Sequence, residues 1–106
     1  MYVDISITEE DLRLIMGKPF EPRYAAALRD AFCPACRQKE DNAVRPEKLW
    51  LNPAGDVIVE GACSSCGAPV EKLLETGVEP RQYDQAMAIR EYKVEIGKDY
   101  EIRQVD

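Results

Sequence analysis

The chain has 106 residues, 45% apolar and 32% charged, and its 14 basic and 20 acidic residues give a net charge of −6. That length bounds it to one compact domain, and charged residues interrupt every apolar run before it reaches membrane-spanning length. The acidic balance disfavours polyanionic partners such as nucleic acid, and the absence of histidine removes the commonest general acid/base near neutral pH.

In chain order, Val3, Ile5 and Ile7 alternate with Asp4 and Ser6, the period of a half-buried strand. Thr8-Glu9-Glu10-Asp11 then reads as a helix start, with Thr8 as N-cap, acids in the first turn and Leu12, Ile15 and Met16 on one face. Gly17 and Pro19 end that helix. A second helix is predicted from about Pro22 to Phe32, where Tyr24, Leu28 and Phe32 fall at i, i+4 and i+8, and it delivers the chain to Cys33.

Leu49-Trp50-Leu51 and Val57-Ile58-Val59 read as two short strands around the turn formers Asn52-Pro53-Ala54-Gly55-Asp56. Alternation puts Leu49 and Leu51 on one face and Trp50 on the other. Trp50 is therefore a candidate binding residue if that face is open and a core residue if it is covered. Pro80 suits the first turn of a third helix carrying Tyr83, Ala86, Met87 and Ile89 or Arg90. Tyr92, Val94 and Ile96 alternate with Lys93 and Glu95 ahead of Gly97-Lys98-Asp99, which predicts a terminal hairpin of residues 92–96 and 100–105 lying beside residues 3–7.

The cysteines carry the chemistry. They stand as Cys33-x2-Cys36 and Cys63-x2-Cys66 with 26 residues between the pairs, and each tight turn can aim two thiolates at one point. Two such turns supply the four soft ligands of a tetrahedral metal site, and the intervening hairpin returns the chain to the metal. Gly67 after Cys66 can take the positive φ that such a turn requires. A secretory disulfide framework is disfavoured by an N-terminus without a basic segment or signal-length apolar run. A thioredoxin-like pair would start a helix in a βαβ setting, which neither C-x2-C does. A closed four-thiolate site also leaves no open position for catalysis, so a non-enzymatic role is expected.

At Cys33-Pro34-Ala35-Cys36 and Cys63-Ser64-Ser65-Cys66-Gly67 the chain resembles the zinc-ribbon, or rubredoxin-like, superfamily, over residues 33–75 only. Arg37 stands where rubredoxins repeat a glycine after the second cysteine. The resemblance implies either a structural Zn²⁺ module of the kind found in transcription, translation or assembly factors, or an iron electron carrier. The resulting expectation is an α+β domain spanning residues 1–106, with a ribbon hairpin subdomain (33–75) projecting from a frame of about three helices and a terminal sheet. Its expected role is that of a cytoplasmic zinc protein that contacts a protein partner through the hairpin or the terminal strands. The alternatives are the iron carrier and nucleic-acid binding through Trp50 with Arg37, Lys39, Arg45 and Lys48; residues 1–32, 33–75 and 76–106 each carry −2, so no segment is a basic module.

Overall fold

The computed structural model describes residues 3–30, 33, 44–97 and 100–104. The order is β1 (Val3–Ile7), α1 (Glu9–Met16), α2 (Phe20–Arg29), β2 (Val44–Leu51), β3 (Val57–Cys63), β4 (Pro69–Leu74), a 3-10 turn (Thr76–Val78), α3 (Pro80–Ile96) and β5 (Ile102–Gln104). The strands form one antiparallel sheet in the order β4-β3-β2-β1-β5. The fold is α+β, as expected, but the hairpin of residues 44–63 does not project from a separate frame. β2 lies at the centre of the sheet and pairs directly with β1, with Ile5 opposite Leu51 and Ile7 opposite Leu49.

Register explains the two faces. The row Ile5, Leu51, Val57 and Leu74 lies on one side, where Leu12, Ile15, Met16, Phe20, Tyr24 and Ala86 from the helices close the core. The row between, Ser6, Trp50, Ile58 and Leu73, points the other way. Local chemistry fixes the ends of the elements. Thr8 Oγ1 accepts from the Asp11 N–H at 3.1 Å, and Asp11 accepts from the Thr8 N–H at 3.0 Å, completing a capping box.

α2 begins two residues before the predicted Pro22 and ends at Arg29, with Asp30 as its C-cap; Phe20 is drawn into the helix by stacking on Tyr24 at 5.2 Å between ring centres. Phe32 lies outside the described residues.

The largest departure is at residues 92–96, which are helix and not the first strand of a hairpin. Glu79 caps α3 by accepting from the N–H groups of Arg81 and Gln82, and no breaker follows until Gly97, whose φ of 69° ends the helix. Once nucleated, a helix adds one hydrogen bond per residue, which carries α3 through a three-residue alternation as far as Gly97. Lys93 pairs with Asp11 at 3.1 Å and holds this part of α3 against α1. β5 does reach the sheet as predicted, with Asp4 opposite Arg103.

Candidate metal centre

The second C-x2-C forms the turn between β3 and β4. β3 ends at Cys63, whose N–H donates to the Ala68 carbonyl at 2.8 Å, while the Gly67 N–H donates back to the Cys63 carbonyl at 2.8 Å. Gly67 has a φ of 78°, which a residue with a Cβ would adopt only under strain, so the glycine lets the chain close around its two thiols.

Cys33 approaches from the other side, beyond the end of α2. Its Sγ lies 3.5 Å from that of Cys66, well beyond a covalent S–S bond of about 2.05 Å. The Sγ atoms of Cys33, Cys63 and Cys66 all lie within 4.8 Å of one another; the first two residues are buried and Cys66 is exposed. Thiolates on one tetrahedral ion with metal–sulfur bonds of about 2.3 Å sit about 3.8 Å apart, so the donor set and its spacing fit a thiolate-bound metal. Cys36, the fourth predicted ligand, lies outside the described residues, as do Arg37 and Lys39.

The thiols have their own small core. Cys33 and Cys63 pack with Val44 and Val70, and Leu28 and Ala68 lie against them; Leu28 also touches the main core and joins the two. Val44, the first residue of β2, stands opposite Cys63. Near this end β2 carries a bulge between Pro46 and Lys48, and the Cβ of any larger residue at Gly61 would come within 2.1 Å of the Arg45 carbonyl oxygen. Gly61 thus permits the close approach of two backbones that aims β3 into the site.

Trp50 lies on the face opposite Leu49 and Leu51, as alternation requires, yet it is only 6% exposed. Arg103 covers the ring at 4.8 Å from its centre and Lys48 at 5.4 Å, and the indole N–H has no hydrogen-bond partner among the described residues. The binding role considered for Trp50 therefore has no open ring face to act through. Lys48 is occupied by an ion pair with Glu101. Sequence reasoning passed over Arg103, whose guanidinium also pairs with Asp4 at 2.8 Å, Glu71 at 2.9 Å and Glu60 at 3.2 Å.

Against protein-family models, curated proteins and solved structures alike, the chain finds no match. Among the described residues, no helix is long and apolar enough to cross a membrane.

Proposed function

We propose that this chain is a zinc-binding protein in which Cys33, Cys36, Cys63 and Cys66 hold one structural Zn²⁺, and that the fold so stapled acts as a protein–protein interaction module without catalytic activity. The observation that carries this reading is the convergence of the Cys33, Cys63 and Cys66 thiols within 4.8 Å, from segments 30 residues apart in sequence. The spacing of the first C-x2-C supplies Cys36 as the fourth ligand. Bound there, the ion would cross-link the end of α2 to the β3–β4 turn, and a closed four-sulfur shell suits structural use.

The second reading, a rubredoxin-like iron carrier, draws support from the exposure of Cys66, since an exposed ligand sulfur offers a short path for an electron. Nucleic-acid binding keeps little support, because Trp50 is covered and the net charge is −6.

The deciding experiment is elemental analysis of protein purified without added metal, with Cys63→Ser and Cys66→Ser variants in parallel. One zinc per wild-type chain and its loss in both variants is the expected result. Iron with a reversible ferric/ferrous couple would replace the reading by the electron carrier, and metal-free protein with an unchanged fold would end it.

A further inference from the structure

α1 and the C-terminal half of α3 enclose a groove of about 470 Å³ lined by Asp11, Leu14, Ile89, Tyr92, Lys93 and Ile96, with Ala88 at its edge. Three of its apolar residues are open, Leu14 at 62% exposed, Tyr92 at 64% and Ile96 at 45%, while Ile89 is half-buried against the core. An apolar strip of this kind on a small charged protein offers a partner surface to cover.

The rim decides the occupant. At 3.6 residues per turn, Gln85, Ile89, Tyr92 and Ile96 form one stripe of α3, and Asp84, Ala88, Glu91 and Glu95 form the stripe beside it. Across the groove Glu10 stands one turn before Leu14 on α1. All four of these acids are exposed, and Lys93, the cation in the floor, is neutralised by Asp11 at 3.1 Å. The groove is thus apolar inside, with three exposed acids along its α3 side and Glu10 at one end of its α1 side, where Lys18 follows Leu14 at the other end.

We infer that this groove binds a basic amphipathic helix of a protein partner, whose apolar side chains at i, i+3, i+4 and i+7 fill it while flanking Lys or Arg residues meet Glu10, Asp84, Glu91 and Glu95. A second copy of this chain is a poor occupant, because it would bring acidic rims together between two molecules of charge −6 each. The inference rests on the interaction-module reading above and specifies its partner, placing contact on the helices instead of the hairpin or terminal strands.

The probe is a synthetic helical peptide with leucines at those spacings and lysines flanking them, titrated into metal-loaded full-length protein followed by NMR. Its glutamate-for-lysine counterpart, anionic phospholipid vesicles and a dilution series of the protein alone serve as parallel arms. Shifts confined to Leu14, Ile89, Tyr92 and Ile96, produced by the basic peptide and weakened by salt, are expected. Glu91→Lys with Glu95→Lys, both at exposed positions, should weaken the basic peptide about tenfold or more and improve the acidic one; Leu14→Asp should abolish both. Equal binding of the two peptides, shifts elsewhere, or no binding by folded metal-loaded protein overturns the inference while leaving the zinc reading intact. Self-association through these residues, or vesicle binding through them, overturns it in favour of a homodimer or a membrane contact. Peptide binding by a chain that holds no metal would leave the groove standing and remove the zinc reading.

Discussion

The guanidinium of Arg103 lies 4.8 Å from the centre of the Trp50 ring, although two strand intervals separate β5 from β2. The same guanidinium pairs with Glu71 on β4, at the far edge of the sheet. In a flat sheet the two edge strands would stand about 19 Å apart, at about 4.8 Å per interval, beyond the combined reach of the two side chains. The sheet is therefore strongly coiled around Trp50, and an arginine from its last strand touches side chains from all four others.

Arg103→Ala should accordingly cost about 2–4 kcal/mol, because it strands the Asp4 carboxylate, 1% exposed, without its counter-ion and uncovers the indole. Urea denaturation gives the loss, and Trp50 fluorescence should shift to the red in the folded state. Glu71→Gln removes only a half-exposed partner and should cost under about 1 kcal/mol. Equal effects from the two substitutions would mean that Asp4 does not depend on Arg103.

Removal of metal with a chelator should loosen the small cluster of Cys33, Val44, Cys63 and Val70 while leaving the larger core folded. The four residues of that cluster are too few to hold their arrangement alone, whereas the main core has its own apolar packing. Amide exchange should accelerate at residues 61–70 and stay slow at Ile5, Leu51 and Val57. Uniform acceleration would show that the two cores unfold as one unit.

Burial, with a smaller contribution from Glu9, pushes the Tyr24 hydroxyl up to about 12 from 10.0. A folded pKa raised above the unfolded one gives a contribution that is complete below pH 10 and lost as pH rises through about 12. Tyr24→Phe should remove this alkaline component from a stability-versus-pH series. It should also stabilise the protein by about 1 kcal/mol near neutral pH, since the hydroxyl is buried without a hydrogen-bond partner among the described residues. An alkaline profile identical in the two proteins would rule Tyr24 out as its source.

Asp11 shows the opposite sign. Burial raises its pKa, but the Thr8 backbone N–H and Lys93 outweigh burial and hold it below 3.8. Its stabilising contribution is therefore present above 3.8 and disappears as pH falls through the lower folded value. Lys93→Gln should raise the acid midpoint of unfolding; an unchanged midpoint would mean that the α1 cap alone sets it.

Gly61→Ala should cost about 3 kcal/mol or more and lower metal affinity, because its Cβ would meet the Arg45 carbonyl at 2.1 Å and push β3 away from the bulge. Gly97→Ala, with open space around its Cβ and an αL backbone at φ 69°, should cost only about 1 kcal/mol. Similar losses at the two positions would show that β2 gives way to the added methyl, so that its close approach is not what constrains Gly61.

Several features were determined locally and so could be read from the chain alone. The Thr8–Asp11 capping box, the β1 alternation, the turn from Asn52 to Asp56 and the opposite faces of Leu49 and Trp50 depend on neighbours within a few residues. The turn at Gly67 and the pairing of Cys63 with Cys66 belong to the same class. β4 was not read from the sequence, because Glu71 and Lys72 dilute its apolar pattern and only its pairing with β3 defines it.

Tertiary structure decided what depended on distant partners. Tyr92, Val94 and Ile96 alternate as a strand does, but the helix capped at Glu79 runs through them to Gly97, with Lys93 docked on Asp11. Alternation put Trp50 outside the main core, but only coiling of the sheet brought Arg103, 53 residues later, over its ring. Period and spacing constrain a residue relative to its own segment; whether a face is covered depends on how the segments curve around one another, which no local pattern encodes.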